Sequence, residues 1–467
     1  VHNQLKFDED KYRVVRANVR LKHYGYGLDP ESMKRKVARS KALLKKQVAE
    51  EPDNFFAHFN LAQLYRGEST HPDADQCKKI IKHASVVVEN ADPYKRGQRH
   101  LHLMSLHQLA TAYFYLDDYD KAIEVCKKAI EYKSDFLDPI ITLGHIYSRM
   151  RELDEARSWF MKYLDALEKF DESEETDQII LLNLRSKHIA YYGLALISEY
   201  EGKPGEASSW FRKCLEEDPD YLDARFRSGR IEYNQGNTQD ALNHLKTEVR
   251  VKPDNWAAYY IIGEIYTRMK QYDSAEEAYL MAFKNCDDEP NLLYSLARLY
   301  FETNRPEEAM KFLDMIREKS SDFIQAYRLA GDISFQFGKY REACAAYTNF
   351  VIRKPNDLEA WNNLGNSHFK LEEFEQAKKC YEKVIELDTS YGLAYRNLAV
   401  CETRLNNFEN AYAILTDYLK LAGDDYNLIV MAAEIAAHLQ KFEEAIRYIE
   451  KALGLNPNSA QLLTLLG

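Results

Sequence analysis

The chain has 467 residues, too many for one compact core, so it must form several domains or a stack of small units. Its net charge of -11 argues against a general nucleic-acid or membrane surface, and no apolar run approaches the roughly 20 residues that span a bilayer. The seven cysteines stand singly, without a C-x-x-C pair, which is typical of reduced core thiols in a cytoplasmic protein.

The stretch NVRLKHYGYGLDP near the N-terminus does not have helical spacing. Val19, Leu21 and His23 alternate with basic residues before a glycine-rich turn, a period of two that predicts a strand. We interpret residues 1–29 as the remnant, a strand and a turn, of a preceding catalytic domain.

A basic helix is predicted over residues 30–52 and connects this remnant to the rest of the chain. Its basic run extends from Lys34 to Lys46. Val37, Leu44 and Val48 supply an apolar side at helical spacing, so the basic side chains are expected to form the solvated face of a helix rather than a nucleic-acid patch.

Alanine recurs every 34 residues over the second half of the chain. The series consists of Ala207, Ala241, Ala275, Ala309, Ala343, Ala377, Ala411 and Ala445. A second pair, Ala122 and Ala156, has the same spacing, and we place the first unit at Ala74. A large residue stands sixteen positions before each alanine, and in most units Leu or Ile and then Gly or Ala follow it three and four residues later, as in WNNLGNSH. Such a period predicts eleven stacked units of two antiparallel helices.

The units resemble the tetratricopeptide repeat, whose pattern is W-x2-L-G-x2-Y, A-x3-F and a terminal P. The resemblance implies an all-α, right-handed superhelical solenoid of about eleven helix pairs, here with a short strand-like N-terminal remnant. Its concave groove would be lined by the first helix of each pair. We predict repeats 1–3 over residues 53–170, an acidic insertion at 171–187, and repeats 4–11 with the start of a twelfth over 188–467.

The same resemblance implies which side chains face the groove. In this family, positions two, five, nine and twelve of the first helix do so, and position six adds asparagines. On this sequence the partner-binding candidates are Asn60, Tyr260, Tyr294, Arg298, Arg328, Asn362, Asn363, Asn366, Arg396 and Asn397. Asn offers a donor and an acceptor to a peptide backbone, Arg binds carboxylates, and Tyr supplies rigid contact area. The alternative is that these residues are ordinary solvated helix positions.

The asparagines of WNNLGN and YRNLA are similar to the asparagine ladders of tetratricopeptide domains attached to protein-modifying glycosyltransferases. They partly resemble the carboxylate clamp of chaperone adaptors as well. This clamp requires a Lys at position five of its first repeat. The corresponding residue in this sequence is Asn362, so the Lys has no counterpart.

The N-terminal segments HNQL and HYGY are similar to the junction in bacterial family 2 glycosyltransferases, where a GT-A-type catalytic domain precedes tetratricopeptide repeats. The resemblance implies that a nucleotide-sugar site and the D-x-D metal motif of the catalytic domain lie upstream of this sequence. His23 matches a histidine that joins the metal site in some such enzymes. A divalent metal and a nucleotide sugar are therefore expected only in the full-length protein, with no cofactor in this chain.

Both ends look cut from a longer protein, because the chain begins with Val1 and its last residues, SAQLLTLLG, fit the start of another helix. No phosphate-binding loop, nucleophile elbow or paired-carboxylate motif is present, so this chain alone is not expected to be an enzyme. The preferred interpretation is a scaffold that binds an acceptor protein or peptide for a family 2 glycosyltransferase. The alternatives are a stand-alone adaptor and a transferase activity of the full-length protein.

Overall fold

The computed structural model describes residues 30–69, 71–95, 97–170, 182–184, 186–422 and 425–456. The predicted strand-like remnant, His23, most of the acidic insertion and the start of a twelfth unit lie outside these ranges. All regular structure within them is α-helical. The helices are α1 (Pro30–Glu50), α2 (Phe55–Arg66), α3 (Ala74–Asn90), α4 (Arg99–Tyr115), α5 (Tyr119–Tyr132), α6 (Leu137–Met150), α7 (Leu153–Glu168), α8 (Lys187–Tyr200), α9 (Pro204–Glu217), α10 (Ala224–Gln235), α11 (Thr238–Val251), α12 (Trp256–Arg268), α13 (Tyr272–Asn285), α14 (Pro290–Glu302), α15 (Pro306–Lys319), α16 (Gln325–Gln336), α17 (Tyr340–Arg353), α18 (Leu358–Lys370), α19 (Phe374–Leu387), α20 (Gly392–Arg404), α21 (Phe408–Ala422), α22 (Tyr426–His438) and α23 (Phe442–Leu455).

After α1, the described helices form eleven consecutive pairs, from α2 with α3 to α22 with α23. The predicted all-α solenoid of about eleven pairs is therefore confirmed. The chain divides into two compact units, unit 1 over Val1–Ala224 and unit 2 over Arg225–Gly467, so the boundary lies at the start of α10. Within each unit, several successive first helices contact one another directly, for example α4 with α6 and α12 with α14.

The periodic alanines lie on the second helix of each pair, where that helix crosses the first. Ten of them, from Ala122 to Ala445, are at most 3% exposed, because only a small side chain allows the two backbones to approach. The placement of the first unit at Ala74 is wrong, since this residue is exposed at the start of α3. Cys77 is fully buried and holds the equivalent fourth position of that helix.

A left-handed residue turns the chain between the two helices of most pairs. In unit 2, Gly236 has a φ of 85°, and the residues at successive steps of 34 also have positive φ: Lys270, Asn304, Gly338, Glu372, Asn406 and Gln440. The residue after each turn donates its backbone N–H back across it, as Gln271 N does to Tyr266 O at 2.9 Å. These bonds satisfy the last carbonyl groups of the first helix and fix the pairing angle.

A glycine contact determines how closely three helices of unit 1 pack. The ring of Phe160 on α7 lies between Gly144 on α6 and Gly193 on α8. A Cβ atom would lie 2.6 Å from the ring at Gly144 and 2.5 Å from it at Gly193. Both glycines are therefore required by close approach, since any side chain would overlap the ring.

Candidate functional site

The candidate groove residues of unit 2 lie on five successive first helices. Tyr260, Tyr294, Arg328, Asn362 and Arg396 follow one another at intervals of 34 residues on α12, α14, α16, α18 and α20. Together with neighbours on the same helices they form a set that we call the strip. The strip consists of these five residues and of Arg298, Asn363, Asn366 and Asn397.

Hydrogen bonds and ion pairs connect the strip across three helices. The Nδ2 atom of Asn397 on α20 lies 3.2 Å from Oδ1 of Asn362 and 3.4 Å from Oδ1 of Asn366, both on α18. The guanidinium of Arg328 on α16 pairs with Glu359 on α18 and lies 3.6 Å from Asp357 Oδ2. These contacts hold the polar side chains in fixed positions, because each side chain is bonded to a neighbouring helix.

A cavity of about 310 Å³ opens beside the strip where α12, α13 and α14 meet. Ser295 Oγ on α14 donates to Glu264 Oε1 on α12 at 2.8 Å and ties these helices together. Both basic and acidic side chains line the cavity, with Arg268 and Arg298 among the former and Glu302 among the latter. Arg298 lies 3.5 Å from Glu302 across one turn of α14, and its side chain remains 51% exposed.

Buried tyrosines of the second helices donate hydrogen bonds to polar side chains of the first helices. The sequence analysis did not predict these tyrosines. The hydroxyl of Tyr381 on α19 donates to Asn366 Oδ1 at 2.8 Å. Its ring packs directly on the backbone of Gly365, where an added Cβ would lie only 2.6 Å away. Burial raises the pKa of Tyr381, which keeps its hydroxyl protonated as a donor.

The same arrangement recurs in two other pairs. Tyr279 OH donates to Glu264 Oε1 at 2.9 Å, and Tyr347 OH donates to Asp332 Oδ1 at 2.6 Å. Burial raises the pKa of Asp332, although the bond from Tyr347 opposes this shift. In each case the acceptor precedes the tyrosine by 15 residues, a spacing that could have been read from the sequence.

The bond between Tyr381 and Asn366 is expected to stabilise α18 against α19. We predict that Tyr381→Phe and Asn366→Ala each destabilise this pair and that the double variant loses about 1 kcal/mol less than the sum of both. Hydrogen exchange of the α19 amides in the four proteins measures this coupling. Additive losses would show that the contact contributes nothing beyond its separate side chains.

The other candidates differ in exposure. Asn362 is only 6% exposed, so it takes part in the packing of α18 as well as facing its neighbours. Arg396 is exposed and has no hydrogen-bond or ion-pair partner among the described residues. Asn60 lies on α2 in unit 1, and its Nδ2 donates to Phe56 O on its own helix at 2.8 Å.

Metal-binding clusters and membrane-spanning helices are both absent from the described part of the chain. No group of three or more His, Cys, Asp or Glu side chains is placed to hold a metal ion in that part of the chain. None of the described helices is both long enough and apolar enough to cross a bilayer. The chemistry on this surface is hydrogen bonding and ion pairing.

Comparison with known families identifies the repeats. Models described as "Tetratricopeptide repeat" match residues 105–136, 139–170, 188–221, 226–290, 290–314, 358–391 and 426–459, more than half of the chain in total.

Two curated relatives and one solved structure are similar over parts of the chain. Human protein O-mannosyl-transferase TMTC3 is 22% identical over 80% of this chain and 36% of its own length. The peroxisomal targeting signal receptor of Saccharomyces cerevisiae is 23% identical over 50% of this chain and 39% of its own length. The crystal structure of YrrB, "a TPR protein with an unusual peptide-binding site", covers 44% of this chain and 97% of that protein at 20% identity, with a TM-score of 0.37. This chain thus spans well under half of the two curated relatives.

Proposed function

This chain belongs to the tetratricopeptide repeat family, and from that premise we propose that it is a protein-binding scaffold whose strip in unit 2 binds an extended peptide. The observation that carries this proposal is the bonded asparagine group on α18 and α20. Side chains that are already held by hydrogen bonds within the protein lose little conformational entropy when a ligand binds, so they are suited to recognition.

The asparagine group leaves hydrogen-bonding capacity for a ligand. Asn397 donates to Asn362 and Asn366, and Asn366 also accepts from Tyr381. The Nδ2 groups of Asn362 and Asn366 and the Oδ1 of Asn397 have no protein partner among the described residues. Donors and an acceptor placed side by side complement the C=O and N–H groups of an extended backbone.

The charges on the strip favour a ligand with acidic residues. Arg396 is exposed without a carboxylate partner among the described residues, and Arg298 is exposed with only a long contact to Glu302. The guanidinium of Arg328, in contrast, is already occupied by Glu359. These two available guanidinium groups, on α14 and α20, would bind carboxylates of a peptide by charge-assisted hydrogen bonds.

Removal of the two available arginines tests the proposal. Peptides are first selected from a random library on the unmodified chain, and their affinities are then measured by fluorescence anisotropy. We expect Arg298→Ala with Arg396→Ala to weaken binding of the selected peptides at least ten-fold and to leave thermal unfolding nearly unchanged, since both side chains are exposed.

The matched control is Arg341→Ala with Arg447→Ala, which removes the same charge from exposed positions on second helices of unit 2. Its affinity should equal that of the unmodified chain. An equal loss in both double variants would show a general charge effect, and failure to enrich any peptide would contradict the proposal itself.

A second, finer function is that this scaffold serves a glycosyltransferase of family 2 by binding its acceptor protein. The HYGY and HNQL segments support it, as does the similarity to a protein named as an O-mannosyl-transferase. The sequence encoded upstream of Val1 tests it: a strand-rich domain with a D-x-D motif supports a transferase, with its metal and nucleotide sugar. Further repeats there would instead support a stand-alone adaptor.

A further inference from the structure

Three basic side chains line the cavity of about 310 Å³ beside the strip. Arg268 lies at the C-terminal end of α12, Lys270 in the turn that follows, and Arg298 on α14. All three side chains are exposed, and they reach the cavity from three places in the chain. A volume at the lower end of ligand pockets accommodates one side chain of a bound peptide.

Arg268 and Lys270 have no carboxylate partner. No carboxylate oxygen among the described residues lies within 4.0 Å of the nitrogen atoms of either side chain. The Cζ atom of Arg268 lies 4.4 Å from the centre of the Tyr233 ring. Burial, followed by Glu264, raises the pKa of Tyr233 to about 12, so this ring is neutral near pH 7 and does not cancel the charge. The ring holds the guanidinium in place by a cation–π contact, while its N–H groups have no hydrogen-bond partner in the described part of the chain.

Two carboxylates also line the cavity, and both are already in contact with protein groups. Oε1 of the half-buried Glu264 accepts from Ser295 Oγ at 2.8 Å and from Tyr279 OH at 2.9 Å. Glu302 lies 3.5 Å from Arg298 on the same helix. With both carboxylates counted, the wall retains one net positive charge. The three cations are exposed whereas Glu264 is half-buried, so an anion that enters the cavity meets the cations first.

The number of cations distinguishes a phosphate ester from a carboxylate. A phosphorylated side chain has three acceptor oxygens and a charge of about -1.5 to -2 at pH 7, so each of the three basic groups can contact a different oxygen. A carboxylate has two oxygens and one charge, and it would leave at least one of the three without a partner. Guanidinium groups bind phosphate oxygens by paired charge-assisted hydrogen bonds, and lysine adds a point charge.

We propose that this cavity binds the phosphorylated side chain of a peptide that lies on the strip. The inference rests on the proposed peptide-binding function and adds the chemistry of one residue of the ligand. Arg298 belongs both to the strip and to the wall of the cavity, so a peptide on the strip would bring one of its side chains to the cavity. Phosphorylation of that side chain would then raise the affinity of the peptide.

Four probes test the proposal on the full unmodified chain by ligand-observed NMR titration at pH 7. Three are peptides of the form acetyl-Ala-Ala-X-Ala-Ala-amide, with phosphoserine, glutamate or serine at X, and the fourth is inorganic phosphate. We expect the phosphoserine peptide to bind at least ten-fold more tightly than each of the other three. Equal affinity of the phosphoserine and glutamate peptides would overturn the proposal, because any acidic side chain would then be sufficient. Inorganic phosphate that binds as tightly as the phosphoserine peptide would overturn the peptide source.

Variants then assign the residues. Arg268→Gln with Lys270→Gln is expected to reduce the preference for phosphoserine over glutamate at least ten-fold. The matched control is Lys284→Gln with Arg341→Gln, which removes one lysine and one arginine from exposed positions on second helices of unit 2 and should bind like the unmodified chain. An unchanged preference in a folded Arg268→Gln, Lys270→Gln protein would overturn the proposal. If that variant does not fold, the four probes on the unmodified chain still decide the outcome.

The failure of this inference can be told apart from the failure of the proposed function. Library peptides that bind the strip, together with equal affinities for phosphoserine and glutamate, would overturn the phosphate assignment alone. Failure to enrich any library peptide, together with a phosphoserine preference that depends on Arg268 and Lys270, would contradict the proposed function and support the cavity as a phosphate site.

Discussion

Unit 1 is expected to lose stability between pH 7 and pH 5, and unit 2 to lose less stability over the same range. Four histidines of unit 1, His58, His83, His102 and His107, are at most 8% exposed. The described part of unit 2 buries none of its histidines to this extent. Burial lowers the pKa of all four, since a charged imidazolium is poorly solvated there.

The contact between two of these rings makes protonation especially unfavourable. The Nδ1 atoms of His58 and His83 lie 3.0 Å apart, so one must donate and the other accept. A second proton would set two N–H groups against each other, and Lys45 and Lys82 add further positive charge near His83, whereas Asp53 favours the charged form of His58. Burial, followed by His58, lowers the pKa of His83 to about 4.

The direction of the pH effect follows from these shifts. Below pH 6.5 the His83 imidazole is protonated in the unfolded chain but remains neutral in the folded unit. The stability of unit 1 therefore falls as the pH drops from 6.5 towards 4. His83 alone then contributes a loss of about 2 kcal/mol at pH 5. In unit 2 the buried Glu402 is paired with Lys378 at 2.7 Å.

Hydrogen exchange followed by mass spectrometry at pH 7 and pH 5, corrected for intrinsic rates, measures both units in one experiment. Peptides from α2 to α6 should lose protection at pH 5, and those from α12 to α20 should lose less. His83→Gln retains a hydrogen-bonding side chain that does not titrate, and it should reduce the pH dependence. Equal loss of protection in both units would contradict the prediction.

The second large effect concerns the glycines on either side of Phe160. We expect the double variant Gly144→Ala with Gly193→Ala to destabilise unit 1 by about 3 kcal/mol, because each Cβ would overlap the ring and the ring cannot move away from one without meeting the other. Differential scanning calorimetry would show this as a lower melting temperature for unit 1.

Gly205→Ala is the matched control. Gly205 lies on α9 in the same unit, and a Cβ there meets nothing within 4 Å. This variant should be neutral or stabilised by up to about 1 kcal/mol, because Ala is the better helix former. Phe160→Leu should partly rescue the double glycine variant by making room. A double variant as stable as the unmodified chain would show that α6 and α8 can separate without cost.

The sequence alone was sufficient to predict the repeat because a stacked pair imposes its requirements locally. Every second helix needs a small residue where it crosses the first, so Ala275 and its equivalents are visible as a period of 34. Where the period breaks, prediction failed by a few residues. At the first pair, Cys77 replaces alanine at the crossing, and the nearby Ala74 was taken in its place.

The candidate site was only partly predictable from sequence. The 34-residue spacing located Asn362 and Arg396 on first helices, but a spacing does not show which side chains bond to one another. Only the tertiary structure shows that Tyr381 donates a hydrogen bond to Asn366, that Arg328 is occupied while Arg396 is available, and that the Gln108 amide is buried without a partner among the described residues.

The sequence by itself therefore determined the architecture, since burial at each helix crossing depends on residues a fixed distance apart in the chain. The tertiary structure decided the chemistry. Charge and hydrogen-bonding capacity depend on which groups approach each other in space, as in the pairing of Glu68 with Lys41 and of Arg328 with Glu359. Such contacts join residues at irregular separations, and no periodicity records them.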